Sequence, residues 1–444
     1  MPVRTSPSPP RGGAGPARSR ARLLAWSGAG VEQAEESRRH LARLLRARGE
    51  PGFADLAGAW SAGGHGPVRY AVVADGAAQA LAALATFDDV PPAPGWEDGR
   101  GEPAVVLPDP RSVALLLPGQ GTQQPRMAHG LTTEVAAAGA VVEEVWDLLG
   151  ADGDRWRRSW LAGDPGFARD DGGGAMALLF AVDVAVARLL LAWGLRPAAL
   201  LGQGVGELAA LHLAGVLDLP DAVAVLHEYA LAVAQLPPQG MIAACAPGAA
   251  MLPQLPEGVH LACDNGPSQV LVAGPLPALA VAEDRFDAAG WAVMPVRAGA
   301  AYHTPWMAPA AHALGAALAG VTRRAPATTL VGSVAARPLT AEEAADPAFW
   351  AACGTAPVRM WDALGALASA CPPGTPWVEV GRGSGLATLA RRHPRRHGRP
   401  PVLSMLSVGP TTGHDDGWRL LEAAAACWTA GMDVDLAAVE ESFG

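Results

Sequence analysis

The residues best placed to do chemistry lie in one short turn and two distant loops. The apolar run Arg196–Leu201 leads into Gly202-Gln203-Gly204-Val205-Gly206-Glu207, and a helix is expected over Leu208–Ala214. A strand that enters a glycine turn and leaves as a helix aims backbone N–H groups at one point, where they hold a phosphate or a developing oxyanion. Two chemistries compete for that shape. A dinucleotide turn follows its Gly-x-Gly with a third small residue three positions on. Here that position is Glu207, and a carboxylate beside a pyrophosphate is repulsive. A nucleophile elbow instead has small residues flanking a central Ser, and the next N–H joins an oxyanion hole. Gly202 and Gly206 are those flanks, but the centre is Gly204, so the elbow keeps its backbone and lacks its reactive atom. Gly381-Arg382-Gly383-Ser384-Gly385 is a weaker decoy for the first reading.

These residues need a scaffold. Val113–Leu117 is an apolar run of strand length ending at Pro118-Gly119-Gln120-Gly121, and Met176–Trp193 reads as a long apolar helix. Strand, glycine turn and helix in succession indicate a parallel α/β sheet. From Gly240 to Met294 the texture changes. Short strands at Gly258–Cys263, Gln269–Ala273 and Ala292–Val296 surround a helix at Pro277–Ala289, which reads as a small inserted α+β lobe. Helix and strand texture resumes after Tyr302 and continues to Leu406, and Asp415–Phe443 reads as a helix with a short tail. Ahead of all this, Leu23–Ser27 and Val68–Val73 read as strands, and Val31–Arg48, Phe53–Trp60 and Ala77–Phe87 as helices. Asp89–Arg111 is rich in Pro, Gly and Asp and reads as a linker, and residues 1–21 as a disordered basic tail.

Composition narrows the function. The chain has 444 residues, half of them hydrophobic, which is room for two or three packed units. Its net charge is −10, which argues against nucleic acid as a partner. All 33 basic residues are Arg; without Lys, neither a Schiff base nor a phosphate-loop Lys is available. Five dispersed Cys with no CxxC suit a reducing compartment and argue against a disulfide framework or a structural zinc. The longest uncharged run, Tyr229–Pro256, holds Pro237, Pro238, Pro247 and Pro253, which break any membrane-spanning helix. No signal peptide is visible, so a soluble cytoplasmic protein that binds neither membrane nor nucleic acid is expected.

Several segments, taken in order, carry a resemblance. They are Leu116–Gln123, Gly202–Glu207 with Leu208-Ala209-Ala210 and Gly215, Asn265-Gly266-Pro267, Val272-Ala273-Gly274, Ala301–Met307, Pro357-Val358-Arg359 and Glu379-Val380-Gly381. Together they resemble the acyltransferase region of modular polyketide synthases, in the family of malonyl-CoA:acyl-carrier-protein transacylases. The resemblance implies an α/β hydrolase-like large lobe at 111–400, with an inserted ferredoxin-like small lobe at about 240–300. It also implies a ketosynthase-acyltransferase-type α/β linker domain at 22–110 and a post-acyltransferase linker-like segment at 401–444. In that family a Ser attacks an acyl-CoA thioester, a His is general base, two backbone amides hold the oxyanion, and the acyl group passes to a carrier protein's phosphopantetheine thiol. Carried over, His303 is the base, Gly204 the position of the lost nucleophile, and Gln120 and Val205 the oxyanion amides.

Departures from the pattern concern one site. Gln203 replaces the His that precedes the nucleophile. Met176 replaces a pocket Gln. Tyr229 stands where the family's Arg holds a free carboxylate, and Tyr302 ends an unusual Ala300-Ala301-Tyr302 selectivity segment. No permanently bound cofactor is implied; acyl-CoA or a phosphopantetheinyl carrier protein is the substrate class, and an acyl carrier protein and a ketosynthase are the partners. Two functions remain: a binding or scaffold partner that has lost Ser-dependent transfer, or a His303-dependent acyl-thioester hydrolase or non-standard acyltransferase. Cys245 and Cys263 are expected as buried core thiols away from the elbow, Glu207 as a stabiliser of the helix N-terminus, and Arg391–Arg399 as a solvated face or a dock for an acidic partner.

Overall fold

The computed structural model describes residues 21–61, 66–85, 107–167, 172–396, 400–406 and 416–443. The tail at 1–20, most of the expected linker at 89–111, the end of the Ala77–Phe87 helix and part of the Arg391–Arg399 run lie outside the described residues.

Apolar residues on both faces of a two-stranded sheet place the N-terminal unit. Strands β1 (Arg22–Gly28) and β2 (Val68–Ala74) pair antiparallel, Leu24 opposite Val72. Leu24, Trp26, Val72 and Ala74 pack on the unit's own helices, Val31–Arg48, Phe53–Ser61 and Ala77–Ala85. The alternate residues Leu23, Ala25, Ala71 and Val73 face the main core. This unit is therefore fused to the rest, not hung from it. The C-terminal helices clamp the joint: Leu23 N–H donates to Glu440 Oε1 at 2.9 Å, and Arg69 donates to the carbonyls of Trp428 and Met432 while stacking over the Trp428 ring.

Strands β3 (Ser112–Leu117) and β4 (Arg196–Gly202) lie side by side and parallel, as their apolar runs suggest. The small lobe follows as β5 (Gln239–Ala244), β6 (His260–Asp264), β7 (Val270–Pro275) and β8 (Val293–Val296). It is a four-stranded antiparallel sheet in the order β6-β7-β5-β8, covered by the helix Leu276–Ala288. The large sheet then resumes with β9 (Thr329–Gly332), β10 (Arg337–Pro338), β11 (Trp377–Arg382) and β12 (Val402–Leu406), giving the order β10-β9-β4-β3-β11-β12. All its pairings are parallel except β10 with β9. This is the α/β architecture expected, with large and small lobes.

Three expectations change. Val402–Leu406 pairs parallel with β11, so the large sheet extends past residue 400, where the following segment was expected to begin. The chain from His129 to Ala162 forms three helices for which no element was expected; their buried Trp146, Trp156 and Trp160 fill the core beside helix Gly172–Ala192. Strand β5 was also not anticipated, since its residues sit inside the proline-flanked uncharged run. Helix Gly172–Ala192 is long and apolar enough to cross a membrane, but 83% of its apolar window is buried inside the protein, so it is a core helix.

Candidate active site

Close backbone approach explains the flanking glycines of the elbow. A Cβ on Gly202 would lie 2.4 Å from backbone atoms of Gly206 and Glu207, and one on Gly206 would lie 2.1 Å from the Leu117 carbonyl oxygen. The loop after β3 closes on the same turn: a Cβ on Gly119 would meet the Gln203 carbonyl oxygen at 2.3 Å. Between them Gly204 takes φ +54° and ψ −120°, a conformation that disfavours side chains, and hands the chain to helix Val205–Leu213. This is the geometry of a nucleophile elbow. The dinucleotide reading has no support here, because Glu207 is buried beneath the turn rather than replaced by a small residue.

His303 comes from the far side, between the small lobe and helix Ala308–Ala319. It too has a left-handed backbone, φ +60°, a strained conformation of the kind that collects at functional sites. Its Nδ1 faces the Cys353 carbonyl oxygen at 3.4 Å. Donation to that carbonyl leaves the Nε2 lone pair for Gly204, where a Cβ would lie 3.7 Å from Nε2. Desolvation, partly offset by the carbonyls of Cys353 and Ala356, pushes the imidazole pKa down to about 4, so the ring is a neutral base at physiological pH.

Gln120 reaches across from the β3 loop. Its Oε1 accepts from the Val205 N–H at 3.4 Å. The loop is tied to the small lobe, since Gln123 Nε2 donates to the Arg297 carbonyl and Gln123 Oε1 accepts from Gly121 N–H. Gln120, Gly204, Val205, Tyr302, His303 and Tyr229 thus meet around one cavity, as the sequence suggests. Its volume of about 60 Å³ is several times the roughly 10–15 Å³ one water needs.

Two expected site residues turn away. Met176 is fully buried in the core helix and does not line the cavity. The Gln203 side chain also leaves the cavity, and its Nε2 meets Cys263 Sγ at 3.5 Å. Cys263 is therefore buried but lies against the elbow rather than away from it, and its thiol passes the contact on to Asn265 Oδ1 at 3.0 Å. Cys245, expected in the core, is exposed because it falls just after β5.

The rest of the lining was not picked out from the sequence. Leu208, Leu211, Leu226, Leu314, Leu318 and Trp350 make it apolar. Among the described residues no Arg lines it. Leu226 and Tyr229 are three apart on helix Leu219–Ala234, a spacing that puts them on one face. Glu207 also lines the cavity, and is more than an N-terminal charge: its Oε1 accepts from the Ser333 N–H at 3.0 Å and from the Ser333 hydroxyl at 2.7 Å. Burial outweighs those bonds and raises its pKa to about 7. Burial likewise raises Tyr229, with the neighbouring Tyr302 and Glu207 adding to it, and pushes the Cys353 thiol up to about 12, an inert value for a nucleophile. Of the basic run, Arg391 and Arg396 bind the carbonyls of Val402 and Pro400, which occupies them within the chain.

Comparison with known proteins bears on the family and the fold. Residues 115–386 match the family described as "Acyl transferase domain". The chain is 30% identical over 419 residues to a phenolphthiocerol/phthiocerol polyketide synthase of Mycobacterium tuberculosis, covering 90% of this chain and 27% of that protein. It is 29% identical over 367 residues to the spectinabilin polyketide synthase system protein NorB of Streptomyces orinoci, covering 80% and 16%. It thus spans about a quarter or less of the length of these two curated relatives. Among solved structures, the acyl transferase domain of SpnD, in complex with 2-(pent-4-yn-1-yl)malonyl, superposes with a TM-score of 0.78 at 29% identity, over 95% of this chain and 98% of that one. The acyltransferase domain of the second module of the salinomycin polyketide synthase gives 0.71 at 29% identity, over 94% and 95%.

Proposed function

This chain belongs to the acyl transferase domain family, and from that premise we propose that it binds an uncharged acyl thioester without becoming acylated, as a binding partner of a ketosynthase and an acyl carrier protein in polyketide biosynthesis. The observation that carries this reading is Gly204: the elbow, its helix and its base are assembled around a position with no side chain. Losing the nucleophile of such a constellation costs several powers of ten in rate.

The cavity wall supports the choice of ligand. A free carboxylate entering it would lose hydration and find no cation, a cost of several kcal/mol. A short alkyl chain gains about 0.8 kcal/mol per buried methylene. The N-terminal unit, fused to the main core through β1 and β2, is the surface offered to a ketosynthase, and the mouth above Gly204 is offered to the carrier-bound acyl group. The test is calorimetric titration of the whole chain with butyryl-CoA and malonyl-CoA, with free thiol followed in parallel. Butyryl-CoA is expected to bind at least tenfold more tightly, with no thiol release. Tighter malonyl-CoA binding overturns the ligand class. Thiol release abolished by His303→Ala makes the protein a hydrolase instead.

A further inference from the structure

The vacancy at Gly204 is filled by the chain itself. A Cβ on Gly204 would lie 2.8 Å from Gln120 Oε1, closer than real Cβ contacts come. A side chain there and Gln120 in its present place are therefore mutually exclusive. The same Oε1 takes the Val205 N–H, which as the first donor of its helix has no acceptor within that helix. Tyr302 lines the same cavity as Gln120. So a planar, neutral carbonyl group sits against an oxyanion-type N–H, in the wall of an apolar cavity that His303 also lines.

We infer that Gln120 is an internal ligand of this site: its carboxamide oxygen holds the place an acyl carbonyl would take on the Val205 amide, and an acyl thioester seats only by displacing it. This rests on the reading of the cavity as an acyl-thioester site. The displacement is small in energy, because a 3.4 Å contact is longer than an ordinary N–H···O bond and the side chain is flexible. It still selects: a ligand with a carbonyl must compete with Gln120, and one without a carbonyl need not. It also gives the loss of the Ser side chain a consequence beyond lost chemistry, since removing that side chain is what lets Gln120 settle in the hole.

Two measurements on the whole chain test this. Hydrogen exchange at the Val205 amide needs no ligand. Removing the acceptor with Gln120→Ala, or withdrawing it by one methylene with Gln120→Asn, is expected to speed exchange roughly two- to tenfold, the range of one neutral hydrogen bond. Unchanged exchange in both variants overturns the inference. The second measurement compares two CoA probes. One is a butyryl-CoA analogue in which methylene replaces the thioester sulfur and the carbonyl is kept; the other is S-butyl-CoA, which has no carbonyl. Gln120→Ala is expected to tighten the ketone roughly two- to tenfold and leave the thioether unchanged. Equal tightening of both overturns the competition at the Val205 amide. If neither probe binds, the acyl-thioester reading falls, while the exchange result still decides where Gln120 sits.

Discussion

Replacing Glu207 with Gln removes an ionisable group while keeping an oxygen for Ser333. Glu207 is 8% exposed, and both bonds to its Oε1 come from Ser333. Its folded pKa is raised from 4.5 to about 7, with burial as the largest cause. Between those two values the unfolded chain has released the proton and the folded chain still holds it, so the folded state binds more protons and stability falls as pH rises. At about 1.36 kcal/mol per pH unit, the interval from 4.5 to about 7 corresponds to roughly 3 kcal/mol lost by pH 8. Urea unfolding of both proteins at pH 5 and pH 8 reads this directly. Glu207→Gln is expected to be more stable than the parent at pH 8 by roughly 3 kcal/mol, and by only about 1 kcal/mol or less at pH 5. Taking the difference between the proteins removes the other titrating groups, among them His303, whose lowered pKa works in the opposite sense. Parallel pH profiles for the two proteins would refute the claim that this carboxyl is held neutral by burial.

Other changes have defined outcomes. Gly206→Ala drives a Cβ to 2.1 Å from the Leu117 carbonyl oxygen, a backbone atom of the central sheet, so roughly 3 kcal/mol of stability should be lost in urea unfolding. Tyr229→Arg places a cation in an apolar wall; malonyl-CoA titration should show a tenfold or larger gain in affinity, the worth of a charge-assisted hydrogen bond of about 1.5–3 kcal/mol. For Gly204→Ser, acylation should stay flat from pH 8 to 5 and halve only near pH 4, where His303 takes a proton; a midpoint near 6.5 would contradict a desolvated imidazole.

How much of this was legible in the sequence depended on the range of the interactions. The elbow could be read because its Gly-x-Gly-x-Gly spacing is itself local, with Gly202 answering to Gly206 and Glu207 a few residues on, and β3, β4 and the N-terminal elements because each carries its own apolar period. The resemblance brought Gln120, Gly204, Val205, Tyr229, Tyr302 and His303 to one site, and they line one cavity. What escaped depends on distant partners. Glu207 looks like a helix-terminal charge until Ser333, on the loop after β9, is seen to take it into the core. Gln203 occupies the expected backbone position, yet Cys263 in the small lobe turns its side chain away. The helices from His129 to Ala162 have Trp, Gly and charged residues interleaved, which blurs the apolar period that would announce them. The placement of the Gln120 carboxamide against Val205, 85 residues away in sequence, has no local signature.

Intact-protein mass spectrometry after incubation with acyl-CoAs tests most directly the claim that only the nucleophile is missing from a formed site. The wild-type chain should show no acyl adduct with any thioester. Gly204→Ser, which displaces Gln120 and brings a hydroxyl toward His303 Nε2, should gain one adduct, and lose it again when His303→Ala is added. An adduct on the wild-type chain, or none on Gly204→Ser once it is shown to be folded, would contradict the account.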